Sequence, residues 1–510
     1  MSMPLEGLLA RISGAELVAG APETEISLVA IDSRRVADGA LFVALPGAEA
    51  DGLDYISDAV VRGAVALVAA PDAIRRAMVL ADGRPVVRAE KPRLFAAAAA
   101  AEMAGHPSAE LVVVAITGTS GKTTTSYIVE SIFAAAGHHT GIIGTIEYRV
   151  AGASVPAPLT TPDAVSLQGL FREMCDAGVT HIAIEASSHA LEQGRVDATQ
   201  VDAAIYTNLS RDHLDYHGDE ASYAAAKERL FREILPSSRA GSFAVLNADD
   251  AYVAGLASEL DVPVLTFGDI ADVSHRDIEI GRDGIRGTLC FGAESHSFHS
   301  HLIGRPHLEN LLGAAAATWR LGIAPAVIVA GIEACRGVPG RLESIEEGQD
   351  FTVLVDYAHK PDALERTLES LRPLTEGRLI VLFGCGGDRD RGKRKQMGEI
   401  AGRLADLIVL TSDNPRTENP ESILREIEAG VQAVNGTRVE AAALGKSGVV
   451  GQYVVLPERR AAIGVAVASA GAGDVVLIAG KGHEDYQIVG KVKRHLDDRE
   501  EARRALGDCA

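Results

Sequence analysis

Short apolar runs separated by polar, glycine-containing turns recur along the whole chain, and their spacing predicts strands alternating with helices. Residues 26–31, 41–45 and 65–70 read as strands of a small α/β domain, and the alanine tract 95–103 reads as a helix. Gly105-His106-Pro107 marks a boundary after it, because proline disfavours helix at the preceding residue. Runs 111–115, 181–185 and 201–206 are of the fully buried type, and 126–136 is helix-like. From 340 onward, strands at 352–355, 378–383, 407–411, 453–456 and 475–479 repeat the pattern, each followed by polar residues. The residues before this, 336–341, read as a linker. The alternation predicts an α/β protein, with a small N-terminal domain (1–107), a central domain (108–339) and a C-terminal Rossmann-like domain (340–510). A length of 510 residues agrees with three domains of a typical ~150 residues.

Composition sharpens this picture. Aromatic residues make up only 4% against 47% apolar, so the cores must be built from Ala, Val, Leu and Ile, which suits helices covering a sheet. A formal net charge of −21 argues against a nucleic-acid or anionic-membrane surface, which needs clustered Lys and Arg. The five cysteines are scattered and form no C-x-x-C pair, so neither a disulfide framework nor a structural zinc site is indicated. The N-terminus lacks a basic region followed by an apolar core, and no run approaches a membrane span. A soluble protein of a reducing cytoplasm is expected.

The strongest candidate chemistry lies at 116–125. The loop Gly118-Thr119-Ser120-Gly121-Lys122-Thr123-Thr124 joins an apolar strand to a helix, the context in which backbone N–H groups and a helix N-terminus cradle phosphate. Two residues separate Gly118 from Gly121, where the strict P-loop has four, so this is a variant that keeps the Gly-Lys-Thr ending. Lys122 is expected at the β and γ phosphates and the Thr123 hydroxyl on Mg²⁺, which makes a nucleoside triphosphate the expected ligand.

Other strand ends carry polar clusters: Glu185-Ala186-Ser187-Ser188-His189, Asn208 to His217, Asp356-Tyr357-Ala358-His359, Asp413-Asn414-Pro415-Arg416 and Gly480-Lys481-Gly482-His483-Glu484. Beside a P-loop, such acidic and imidazole groups can complete a Mg²⁺ shell or orient phosphates. The segment from His296 to His301 reads as an exposed strand. Strand alternation puts His299 and His301 opposite His296, a poor geometry for one metal site. The glycine string 384–390 lacks G-x-G-x-x-G and is not read as a dinucleotide site.

Taken together, these ordered motifs resemble the Mur ligases, in their diaminopimelate-adding branch, over nearly the whole chain. The resemblance implies a uridine-nucleotide-binding N-terminal domain, an ATP-binding centre and a C-terminal domain for the incoming amino acid. It implies ATP-driven amide synthesis in peptidoglycan precursor assembly. The substrates would be UDP-N-acetylmuramoyl-L-alanyl-D-glutamate, meso-2,6-diaminopimelate and ATP, with Mg²⁺ as cofactor.

Carried over by that resemblance, Thr123 and Glu185 are metal ligands and His213 a second-site ligand. Lys227 matches the lysine that the family carries as a CO₂-derived carbamate, an anionic oxygen ligand whose formation requires a neutral amine. Lys122, Lys227 and His213 form the expected catalytic set. Thr160, Thr161, Ser187, Gln193 and Arg195 match positions holding the muramoyl-dipeptide, and Ile31, Ser33 and Ala48-Glu49-Ala50 match the uridine-diphosphate pocket. Arg341 and Asp356 match ATP contacts, as does Asn310. Arg389, Asp413, Asn414, Pro415, Arg416, Gly480 and Glu484 match the amino-acid pocket.

One departure stands out. The family's Gly-Arg-Phe-Asn-x-x-Asn is here Gly304-Arg305-Pro306-His307-Leu308-Glu309-Asn310, so an imidazole replaces the first amide at an expected adenine contact.

The rivals are a lysine-adding relative, a folylpolyglutamate-type ligase and a P-loop kinase. Residues 1–107 argue against the second, which lacks a uridine-binding domain. Against the first, Arg416 offers a planar guanidinium for the distal carboxylate that distinguishes diaminopimelate from lysine. A monomer is expected.

Overall fold

The computed structural model describes residues 2–47, 50–446 and 448–509. By contacts the chain divides into two compact units, one of residues 1–275, 289–296 and 309–332, the other of residues 276–288, 297–308 and 333–510.

The first unit opens with a five-stranded sheet ordered Ala15–Ala19, Val86–Ala89, Ala64–Ala69, Ala40–Val43, Leu28–Ala30. Its first pair is antiparallel and the others are parallel. Apolar clusters lie on both faces. Leu41, Val43, Ala66 and Val68 pack with the alanine-rich helix Pro92–Ala104 on one side, and Phe42, Leu67 and Ala69 with Ile56 and Ala77 on the other. Small side chains let the helix lie close to the sheet.

The sheet that carries the phosphate loop has eleven strands. Its parallel centre runs Thr140–Ile143, His181–Glu185, Val112–Thr117, Ala203–Tyr206, Phe243–Asn247, Val264–Phe267. Val112–Thr117 is thus flanked by His181–Glu185 and Ala203–Tyr206, with Ile116 opposite Glu185 and Thr117 opposite Tyr206. The loops after these strands leave the sheet side by side, where α/β proteins place ligands. Helix Lys122–Ala135 begins four residues before the predicted 126–136, because Gly121 takes a left-handed conformation and starts the helix immediately after the loop.

The second unit holds a seven-stranded sheet ordered Glu343–Ser344, Thr352–Asp356, Val475–Ala479, Leu379–Phe383, Leu407–Leu410, Gln452–Val455, Thr437–Arg438. All neighbours but the first pair are parallel. Its five central strands are buried on both faces, as the continuous apolar runs require. Helices Gly392–Leu404 and Pro420–Ala433 cross with their backbones in contact, since a Cβ on Gly398 would collide with Ile427 O and one on Gly430 with Lys395 O. A two-stranded hairpin, Tyr486–Val489 with Val492–His495, follows the last central strand.

The strand Glu294–Ser300 departs from the exposed reading: Phe298 and Ser300 at its C-terminal end are buried, while Glu294, Ser295 and Ser297 are exposed. His299 and His301 lie on one side with ring centroids 5.1 Å apart. Among the described residues no group of three or more His, Cys, Asp or Glu is gathered to hold a metal.

Candidate active site

The phosphate loop is braced by the loop after the neighbouring strand Ala203–Tyr206. Thr119 N donates to Asn208 O (2.9 Å), Ser120 N to Asn208 Oδ1 (3.0 Å), and Thr207 Oγ1 to Ser120 O (2.6 Å). Thr119 Oγ1 donates to Ser210 O (3.1 Å) and lies 3.1 Å from Tyr223 Oη. Asn310 sits against the start of the loop's helix, with Thr125 Oγ1 donating to its Oδ1 at 3.3 Å. Two ammonium groups converge on one loop carbonyl: Lys122 Nζ and Lys227 Nζ reach Gly118 O at 2.8 and 2.7 Å. Lys227 is buried, arrives from helix Glu220–Arg229, and lies 4.5 Å from the Tyr223 ring centroid. Its helix position alone gave no sign of this burial.

Glu185 stands beside the loop. Its Oε2 accepts from Thr123 Oγ1 (3.1 Å) and Thr145 Oγ1 (3.0 Å), and its Oε1 accepts from Thr145 N (2.9 Å). Thr145 in turn lies 3.1 Å from Thr160 Oγ1. Thr161 is fully buried, donates to Glu185 O at 2.7 Å and accepts from Ser187 N at 3.3 Å. Arg195 Nη1 donates to Thr161 O (3.0 Å), and its Nε and Nη2 grip Gln193 Oε1 (3.1 and 2.7 Å). Burial holds the Arg195 guanidinium below its ordinary pKa. Thr123, Glu185, Thr160, Thr161, Ser187, Gln193 and Arg195 therefore form one connected polar surface.

An imidazole cluster borders that surface. His189 lies against Tyr216 (ring centroids 4.1 Å), His213 (4.9 Å) and His217 (5.3 Å). His213 is exposed, in a left-handed backbone conformation, 3.5 Å from Asp212. His189 is held below the usual imidazole pKa, first by burial and then by His217.

In the N-terminal sheet, Ser33 is buried, Ile31 half-buried and Ala50 exposed, while Ala48 and Glu49 lie outside the described residues.

In the second unit, Asp356 caps the loop after its strand, accepting from Leu342 N and Ala358 N, each at 2.8 Å. Burial raises its pKa, opposed by Arg341. The Arg341 guanidinium stacks 4.6 Å from the Tyr357 ring centroid. His307 is buried, its Nδ1 has no hydrogen-bond partner, and burial followed by Arg341 pushes its pKa down to about 4. A neutral imidazole with one spare nitrogen is what a base-recognising group needs.

The amino-acid residues of the expectation gather at adjoining strand ends. Asn414 Nδ2 and Lys481 Nζ both donate to Glu484 Oε2, each at 3.0 Å, and Lys481 lies 3.7 Å from Asp413 Oδ1. Arg416 is left-handed (φ 51°), hydrogen-bonded to the hairpin on both backbone sides, and donates from Nη1 to Gly387 O at 2.8 Å. The next helix begins only at Pro420. Pro415 is buried, Gly480 N bonds Asp356 O (3.0 Å), and Arg389 is exposed, its Cγ near Gly386.

The sequence did not single out several polar residues that hold these sites together. Thr145 stands two residues beyond the end of strand Thr140–Ile143 and carries no local signal. Buried Lys481 lay within a quoted motif. Buried Arg394 pairs with Glu418 (2.8 Å) and Glu426 (3.0 Å), and buried Arg459 with Asp498 (2.6 Å) while donating to Ser412 O and Ala479 O. These partners are distant in sequence and no local pattern joins them.

Comparison with known proteins agrees with this arrangement. The chain matches family models described as Mur ligase family, catalytic domain (residues 25–106), Mur ligase middle domain (116–318) and Mur ligase, glutamate ligase domain (340–482). It is 46% identical over 506 residues, covering 98% of each chain, to a protein of Geobacter metallireducens named UDP-N-acetylmuramoyl-L-alanyl-D-glutamate--2,6-diaminopimelate ligase. A Geobacillus kaustophilus protein of the same name is 42% identical, covering 94% of this chain and 95% of its own. A solved structure of that name superposes with a TM-score of 0.67 at 31% identity, covering 100% and 99% of the two chains. MurF ligase from Thermotoga maritima in complex with ADP shares the fold at 18% identity, covering 95% and 98%, with a TM-score of 0.61. With all three α/β domains accounted for, the chain belongs to the Mur ligase family.

Proposed function

We propose that the protein is an ATP-dependent amide ligase that adds meso-2,6-diaminopimelate to UDP-N-acetylmuramoyl-L-alanyl-D-glutamate, releasing ADP and phosphate. The observation that carries the choice of amino acid is the Asp413–Arg416 loop, where Arg416 is held by backbone hydrogen bonds beside Asn414, Lys481 and Glu484. Guanidinium suits a distal carboxylate, and the paired carboxylates suit the neighbouring ammonium.

In this reading residues 1–107 hold the uridine nucleotide through Ile31, Ser33 and Ala48-Glu49-Ala50. Residues 108–339 hold ATP on Gly118 to Thr124 with Asn310, and the dipeptide on Thr160, Thr161, Ser187, Gln193 and Arg195. Residues 340–510 supply Arg341 and Asp356 for ATP and hold the amino acid on Arg389, Asp413 to Arg416, Gly480 and Glu484; His307 stands at the expected base-contact position. The substrate carboxylate attacks the γ-phosphorus as the bond to ADP breaks, giving an acyl phosphate. The incoming neutral amine then forms the C–N bond at the acyl carbon, phosphate leaves, and the nitrogen loses its proton. Lys122 offsets the repulsion between two anions in the first step.

The donor set fits a hard divalent cation. Thr123 Oγ1 and Glu185 Oε2 are 3.1 Å apart, close to the ~3 Å between adjacent ligands of an octahedral ion with bonds of about 2.1 Å. Thr123 and Glu185 would hold Mg²⁺, with His213 a ligand at a second site and a carbamate on Lys227 a further anionic ligand; the bound cation would neutralise phosphate charge. Carbamate formation from the neutral amine and CO₂ releases a proton and would replace one of the two ammonium groups now sharing Gly118 O with an anion. Lys227→Ala is then nearly inactive and regains activity with short carboxylates. Full activity without them would refute the carbamate.

Phosphate release with the muramoyl-dipeptide and a panel of amino acids tests the whole reading. It should require both substrates and favour meso-diaminopimelate over lysine. Amine-independent release would mark a kinase or ATPase instead, and equal efficiency with lysine would overturn the amino-acid assignment. Action in the cytoplasm as a monomer completes the proposal, and light scattering checks the latter. No helix among the described residues is long and apolar enough to cross a membrane.

A further inference from the structure

A glutamate carboxylate, on three rotatable side-chain bonds, is a poor fixed ligand unless something sets its plane. Glu185 has such a restraint in one residue. Thr145 N donates to Oε1 at 2.9 Å and Thr145 Oγ1 lies 3.0 Å from Oε2, so the backbone and side chain of a single threonine grip both oxygens. The approach is close enough that a Cβ on the preceding Gly144 would collide with Glu185 Oε1. The proton inventory then orients the next member. A hydroxyl carries one proton, and Thr145 uses its own on Glu185, so the 3.1 Å contact with Thr160 must have Thr160 donating. The segment 160–161 is tied to Glu185 a second time, through Thr161 Oγ1 on its backbone carbonyl.

We infer that Thr145 is a positioning residue for the cation site: it sets the plane of the Glu185 carboxylate, and Thr160 sets the direction of the Thr145 proton. The inference rests on the proposed reading of Glu185 as a divalent-cation ligand. It makes the affinity for the cation depend on two hydroxyls that need not touch the ion. Partners that orient a ligand in this way typically contribute 10–100-fold to metal affinity.

The test uses the full chain and Mn²⁺ with ADP, followed by the paramagnetic resonance of bound Mn²⁺, so that no turnover is needed. Thr145→Val keeps shape and backbone N–H but removes the hydroxyl, and should weaken Mn²⁺ binding about tenfold or more while metal-free ADP binding and Tm stay near wild type. Thr145→Ser restores the hydroxyl and should return affinity to within about threefold of wild type. Thr160→Val should weaken Mn²⁺ in the same direction by a smaller factor, since Thr145 can still donate to Glu185 but is no longer oriented. Unchanged Mn²⁺ affinity in Thr145→Val overturns the inference and leaves the proposed function standing. Equal loss in Thr145→Val and Thr145→Ser, or loss of metal-free ADP binding with it, overturns it in favour of a purely structural role. A wild-type protein that binds neither ADP nor Mn²⁺ overturns the functional reading as well.

Discussion

Around the phosphate loop the buried polar side chains are largely hydroxyls and amides, whereas around the Asp413–Arg416 loop the buried hydroxyls and amide of Thr411, Ser412 and Asn414 are joined by several full charges already paired. Thr123, Thr124, Thr125, Ser126 and Thr161 are buried in the first region, with Glu185 and Lys227 as the buried charges at the loop. The second region holds Arg394, Arg459 and Lys481 almost wholly out of water, each against a carboxylate. Under the proposed function the difference follows from what each region would accept. A triphosphate and its cation bring large charges of their own, so the receiving surface does best with neutral donors and few fixed ions. A zwitterionic amino acid brings opposite charges in fixed spacing, and a rigid array of paired ions can match it and penalise a ligand with one charge missing.

The break that stops turnover itself should come from the few charges of the phosphate side. Lys122→Ala should lower kcat by at least ~10³-fold with the fold intact, because Lys122 is half-buried and rests on loop carbonyls rather than in a core. Near-normal turnover by a folded variant would remove the phosphate-loop assignment. On the other side, wild-type kcat/KM should favour meso-diaminopimelate over lysine by ~10⁴. Arg416→Ala or Arg416→Lys should lose most of that ratio, read from competing kcat/KM values.

A third effect is on stability and should appear only where charges are buried. Arg459→Met leaves Asp498 uncompensated and should cost about 3–5 kcal/mol of unfolding free energy, measured by denaturant titration. Replacing both partners with apolar residues should recover much of the loss. The smallest effect is a pH dependence. Burial first, and neighbouring cations second, push His307 and His483 down to about 4 and His359 to about 3. Since unfolded imidazole protonates near ~6.5, these groups cost nothing above that value. The unfolded chain takes up their protons first as pH falls, so stability drops from there toward the folded values. The first unit has one imidazole pushed as far, His181 at about 4. Hydrogen exchange at mildly acid pH should therefore show protection falling first in the second unit.

Much of this was legible in the chain. The strands 181–185 and 475–479 fall where the apolar runs place them, because a buried parallel strand needs a continuous apolar run. The phosphate loop and the Asp413–Arg416 motif were visible as local patterns. What escaped was whatever depends on pairing across the fold. Thr145 is an ordinary residue until strand Thr140–Ile143 is placed next to His181–Glu185, which no period reveals. Arg459 meets Asp498 across 39 residues. The side faces of strand Glu294–Ser300 were misjudged because its serines and histidines hide a buried Phe298.

The glycine crossing of helices Gly392–Leu404 and Pro420–Ala433 bears on how such a protein can drift over evolutionary time. One helix follows the loop that carries Arg389 and the other follows the loop that carries Arg416. Because Gly398 and Gly430 bring the two backbones together, neither glycine can gain a methyl group without forcing the helices apart. If these loops hold the incoming amino acid, as proposed, a lineage exploring new amino acids is thereby barred from widening the pocket by sliding these helices. Its accessible steps are side-chain replacements within the loops themselves, so a change of substrate should leave its trace at positions such as 389 and 413–416 while the helical seam stays unchanged.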